Sequence, residues 1–137
     1  MQIRTAKATW SGTLREGQGT MNFSTFEGPY TRASRFENAE GTNPEELLGA
    51  AHAGCFSMFL SGVLTKAGFT PTRINTTAQV HLGDGPRITL IELDTEVDTP
   101  GLDDARLQTA AQEAKDKCPI SLALASTEIK LTARLAG

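Results

Sequence analysis

The stretch from Thr42 to Gly68 constrains this chain more than any other, because its spacing predicts one helix of about 24 residues, roughly 36 Å long. Thr42 or Asn43 can serve as N-cap, Pro44 takes the first helical position, and Glu45 and Glu46 fill the first turn, with Asn43-x-x-Glu46 approximating a capping box. Leu47, Leu48, Ala51, Cys55, Met58, Phe59, Gly62 and Val63 follow helical spacing. Lys66 suits the negative end of the helix dipole, and Gly68 provides a left-handed stop. Such a helix is longer than a 137-residue domain needs for its own core. Gly49, Ala50, Ala51, Ala53 and Gly54 leave one end of it smooth enough for close packing, so a partner helix is expected against it.

Around this helix the sequence supplies strands. Residues 2 to 10 alternate, with Ala6, Ala8 and Trp10 on one side, and Ser11-Gly12 then marks a turn. Residues 19–25 and 30–36 read as two further short strands about a turn at Glu27-Gly28-Pro29, which makes an antiparallel meander. Residues 72–82 and 87–97, rich in Thr, Ile and Val, form a hairpin closed by Gly83-Asp84-Gly85-Pro86. Leu107, Ala111, Ala114 and Cys118 recur at helical spacing behind an Asp103-Asp104 start, which puts Cys118 at the end of a second amphipathic helix. Pro119 either holds Cys118 in non-helical geometry or begins a short helix through Leu124. Residues 127–135 alternate, with Ile129, Leu131, Ala133 and Leu135 inward. The order is β-β-β-α-β-β-α-β, an α+β fold, and with no repeat or linker residues 1–137 read as a single domain.

Composition narrows the function. Thirteen basic residues against sixteen acidic ones, scattered rather than clustered, exclude the electrostatic footprint of a nucleic-acid binder or a polybasic membrane anchor. The most apolar run, Cys55 to Leu64, is broken by Ser57, Ser61 and Gly62, short of the about 18 residues of a membrane span, so no bilayer crossing is expected. The N-terminus has no apolar signal region, which favours a cytoplasmic location with reduced thiols. Cys55 and Cys118, the only cysteines, lie 63 positions apart without a CxxC or paired-His spacing, so no metal is expected and the thiols read as free or catalytic. A reactive thiol needs a cation or hydrogen bonds to hold its thiolate, and the sequence offers Arg32, Arg35 and Arg73 among others.

Four segments carry a resemblance: Ser34-Arg35-Phe36-Glu37; Gly41 through Met58, with Asn43-Pro44-Glu45-Glu46-Leu47 and Ala51-His52-Ala53-Gly54-Cys55; Ala67 through Pro71; and Ala114 through Ser121, with Lys117-Cys118-Pro119. Together they strongly resemble the OsmC/Ohr family of osmotically inducible and organic hydroperoxide resistance proteins, nearer to the OsmC branch. The resemblance implies a long central helix on an antiparallel sheet, an interwoven homodimer, and a thiol peroxidase without bound cofactor. Cys55 would be the peroxidatic cysteine, oxidised to a sulfenic acid by an organic hydroperoxide, and Cys118 would resolve it as an intramolecular disulfide. A dithiol of the dihydrolipoamide type would then reduce that disulfide. Arg35 matches the arginine that lowers the thiol's pKa and polarises the peroxide, and Glu45 matches the acid that orients it.

Helix geometry sets a condition on this pattern. Ten residues of straight helix put Glu45 about 15 Å from Cys55, beyond hydrogen-bond reach. A bend near Gly49, an extended Arg35, or a site drawing on two chains would answer it, and the interwoven homodimer is the simplest. His52, one turn before Cys55, permits a Cys-His pair but lacks an orienting partner in the sequence and reads as structural. His81 reads as a surface residue, Glu46 as a cap, and Phe36, Phe56, Met58 and Phe59 as core, some of them lining an apolar pocket for the peroxide's alkyl tail. The competing reading is a redox-sensing or apolar small-molecule binding module on the same fold, with slow turnover or none.

Overall fold

The computed structural model describes Met1–Gly137. The chain divides into two compact units, Met1–Leu47 and Leu48–Gly137.

In the first unit, strands β1 (Lys7–Ser11), β2 (Gln18–Phe23) and β3 (Phe26–Tyr30) form the expected antiparallel meander, in the order β1-β2-β3. Gly19 faces Trp10 on one side and Tyr30 on the other, and the two rings lie 5.3 Å apart. A Cβ at Gly19 would sit 2.6 Å from the Tyr30 ring, so only glycine lets the rings close over the strand.

The sequence reading needs correction after β2. The turn falls at Ser24-Thr25, where Ser24 has φ +48° and Phe23 stacks on Phe26 across it. Gly28 and Pro29 lie within β3, an edge strand, where a missing N–H is tolerated. Residues 32–36 are not a strand but a helical turn, α1 (Arg32–Phe36). Thr31 and Ser34 cap it reciprocally, each side chain accepting from the other's backbone N–H. Ser34 also donates to the Thr42 carbonyl, and the Asn43 amide donates to the Ser34 carbonyl, which fixes the loop between α1 and the next helix.

Helix α2 (Pro44–Lys66) starts and stops where its signals say. Asn43 Oδ1 accepts from the Glu46 N–H at 2.8 Å. At the far end Gly68, at φ +96°, closes a Schellman motif in which Phe69 N–H donates to Leu64 and Gly68 N–H to Thr65.

In the second unit, β4 (Arg73–Gly83), β5 (Arg87–Asp98) and β6 (Glu128–Leu135) form a sheet in the order β4-β5-β6. β4 and β5 are antiparallel as expected, but β6 runs parallel to β5, so the sheet is mixed. The crossover is made by α3 (Asp104–Lys117) and the short α4 (Pro119–Ala123), long enough to return the chain in the same direction. The core is Phe56, Leu60 and Leu64 of α2, Ile91, Leu93 and Val97 of β5, and Leu107, Ala111 and Ala114 of α3. The one buried hydroxyl on β5, Thr95, is satisfied by Thr76, which also accepts from Ser57.

Two readings change, the length of the apolar run in α2 and the burial of Met58 and Phe36. Its length and composition suffice to cross a membrane, because Gly, Ser and Ala do not interrupt an apolar helix as charges would; the core helix of a water-soluble domain passes the same test. Met58 is 79% exposed, and Phe36 of α1 is 40% exposed, so neither is core. Only 28% of the apolar window of α2 is buried in the chain.

Candidate active site

The second unit brings the two cysteines together. Cys55 is half-buried in the middle of α2, and Cys118 is fully buried at the junction of α3 and α4. Both are free, with their sulfurs 2.8 Å apart. The apolar stripe of α3 carries Cys118 inward, and Pro119 bars it from helical geometry, leaving it at φ −57° and ψ 130°. It therefore ends one helix and begins another. Its N–H donates to the Ala114 carbonyl, and its sulfur accepts from the Ser121 N–H at 3.5 Å.

The contact divides the two thiols in acidity. Burial pushes Cys118 up, but the bond to Cys55, the Ser121 backbone and hydroxyl and the Ile120 backbone outweigh it, so Cys118 lies below the ordinary thiol value. Cys55 lies above it, raised first by burial and then by the bond to Cys118. No basic side chain of the second unit contributes to either shift.

His52 occupies the same stripe of α2 as Phe56, Leu60 and Leu64, and it is completely buried. A polar ring on that stripe must find a partner, and Nε2 lies 2.7 Å from Ser121 Oγ. Burial holds the imidazole below its ordinary value, which keeps it neutral. Sequence reasoning gave Ser121 no role. The signal was available in Cys118-Pro119-Ile120-Ser121, where the N-cap's side chain meets the third helical N–H.

The first unit brings Arg35 and Glu45 together. Arg35 Nε and a terminal guanidinium nitrogen donate to the two Glu45 oxygens at 2.9 and 3.0 Å, a bidentate pair. The pair forms because α1 and the start of α2 are tied by Ser34, Thr42 and Asn43. The Glu45 carboxylate is nearly buried and Arg35 is about one-third exposed, with its guanidinium 5.2 Å from the Phe36 ring centre. The bond to Glu45 raises the guanidinium above its ordinary value against the opposing effect of burial, so Arg35 is always charged. A cavity of about 380 Å³ opens beside it, lined by Trp10, Leu14, Tyr30, Arg32 and Phe36. His81 is exposed near Glu92, as expected of a surface residue. No group of three His, Cys, Asp or Glu side chains is placed to hold a metal ion.

Residues 37–134 match the family model described as OsmC-like protein. The chain belongs to the OsmC family. It is 48% identical to the protein named peroxiredoxin OsmC of Escherichia coli (strain K12), over 94% of each chain. It is 30% identical to the organic hydroperoxide resistance protein of Xanthomonas axonopodis pv. citri (strain 306), over 87% of this chain and 85% of that one. The OsmC-like protein of Mycoplasma pneumoniae shares the fold, with a TM-score of 0.75 over 99% of both chains at 17% identity. In this chain the OsmC fold is the α+β arrangement described above, with a mixed sheet in the second unit.

Proposed function

We propose that this chain is a thiol peroxidase that reduces organic hydroperoxides to alcohols. The observation that carries the reading is the meeting of Cys55 and Cys118, 2.8 Å apart although 63 residues separate them; the relatives' names agree with it. The Cys55 thiolate attacks the terminal oxygen of the hydroperoxide, the O–O bond breaks, and the alkoxide takes a proton and leaves as the alcohol. Cys55 is left as a sulfenic acid. The Cys118 thiolate then attacks the Cys55 sulfur, an S–S bond forms, and the hydroxyl leaves as water. A dithiol of the dihydrolipoamide class returns both thiols by exchange. A pair recycled in this way belongs in a reducing compartment, the cytoplasm.

The raised Cys55 thiol needs a cation. Our reading assigns that role to Arg35, held by Glu45, on the strength of the sequence pattern around both residues. It assigns the completed enzyme to a homodimer that pairs the exposed α2 stripe of Ala51, Gly54, Met58 and Gly62 with a second copy. The test is a thiol count and intact mass of the reduced protein after one equivalent of cumene hydroperoxide, beside an equal dose of hydrogen peroxide. The expected result is fast loss of both thiols and of two hydrogens with the organic peroxide, and much slower loss with hydrogen peroxide. Survival of both thiols would sink the reading.

A binding module remains the second reading because of one feature, a cavity of about 790 Å³ in the second unit lined by Val63, Phe69, Leu102, Ala105, Arg106 and Ala110, with neither cysteine in its wall. A module of that kind keeps its function in Cys55→Ser, whereas the peroxidase loses nearly all of it.

A further inference from the structure

His52 is a fully buried ionisable side chain to which the peroxidase cycle gives no task. Its Nε2 meets Ser121 Oγ at 2.7 Å, while its Nδ1 is buried without any hydrogen-bond partner. A neutral imidazole carries one N–H. Placed on Nδ1, that N–H is a buried donor with nothing to accept it; placed on Nε2, it meets Ser121 and leaves only a lone pair unpaired, the cheaper arrangement. The consequence is directional. With Nε2–H donating to Ser121 Oγ, the hydroxyl hydrogen turns away from the ring and is free for another acceptor, and the Cys118 sulfur already accepts the N–H of the same residue.

We propose that Ser121 donates both its N–H and its O–H to the Cys118 sulfur during disulfide formation, and that His52 is the positioning residue that holds the hydroxyl in that direction. This rests on the reading of Cys55 and Cys118 as peroxidatic and resolving thiols. The Ser121 hydroxyl is among the groups that hold the Cys118 thiol down, in agreement with that direction. The two donors stabilise charge on the attacking sulfur. The step balances without another reactant: the S–S bond forms, the S–O bond of the Cys55 sulfenic acid breaks, and the departing hydroxide combines with the proton released by Cys118 as water.

The experiment is a single turnover of the reduced full-length protein with one equivalent of cumene hydroperoxide, quenched over time and read by intact mass. The sulfenic acid, one oxygen heavier, is thereby separated from the disulfide, two hydrogens lighter. Ser121→Ala and His52→Leu are expected to slow conversion of the first to the second about tenfold, while Ser121→Thr and His52→Gln, which keep a donor in place, stay within about threefold of the parent. A packing defect alone would lower the melting temperature without accumulating sulfenic acid, and it would not be rescued by Thr or Gln. Should His52→Leu fail to fold, the Ser121 variants decide. Disulfide formation at the parent rate in Ser121→Ala overturns the role of the pair while the peroxidase reading stands. A parent protein that never takes up oxygen overturns the peroxidase reading, and this inference with it.

Discussion

Buried and held neutral, His52 ties the stability of the second unit to pH. In the unfolded chain its imidazole titrates at the ordinary value of 6.5, and in the folded chain it titrates lower. Between those two values the unfolded state binds the extra proton, so acid pulls the chain towards unfolding. The contribution is intact above 6.5 and fades as the pH drops below it, with a slope of at most about 1.4 kcal/mol per pH unit. His52→Gln removes that slope; urea unfolding of parent and variant at a series of pH values below 6.5 reads it directly, and equal slopes would refute it. At this scale the sequence was legible where a residue's neighbours are local. Asn43, Pro44 and Gly68 do what their positions in the chain require. His52 was not, because its partner Ser121 is 69 residues away and nothing local distinguishes a core histidine from a hydrogen-bonded one.

Among the elements, α1 departs most from the local sequence pattern. Gly28-Pro29 carries turn chemistry, but β3 is an edge strand, and an edge strand accepts both residues. The true boundary was written in Thr31-Arg32-Ala33-Ser34, a capping pattern with Ser in place of the usual acid. The direction of β6 was equally hidden. Alternation shows which side chains point inward but not which way a strand runs, and that was decided by the α3–α4 crossover. The α1–α2 junction also carries a prediction. Arg35→Lys keeps the charge but cannot reproduce the two-pronged bond to Glu45. On the proposed mechanism, turnover of cumene hydroperoxide falls about tenfold or more. The melting temperature moves little, since Arg35 is about one-third exposed and an ion pair of that kind adds little to stability. A variant with parent turnover would remove Arg35 from the mechanism.

For the whole molecule, the question is what covers α2. The helix is apolar on nearly every side, a pattern that belongs to helices buried all round, yet most of its apolar window is open in the single chain. That mismatch is why Met58 reads as core and is not: helical spacing shows which residues are apolar but not which of them the fold of the chain covers. Gly54 offers a clean probe, because a side chain there meets nothing within 4 Å in its own chain. Gly54→Leu therefore favours the helix by about 0.5–1 kcal/mol in an isolated chain while filling the space a second helix needs. Light scattering at micromolar concentration should show a dimeric parent and a monomeric variant that keeps its helical circular dichroism; an unchanged dimer would place the interface elsewhere. A helix whose outer face is shielded only by another copy also makes folding a matter of mass action. On the proposed dimer, dilution would act as a denaturant, the melting temperature would climb with protein concentration, and the heat resistance of this chain would depend on how much of it a cell has made.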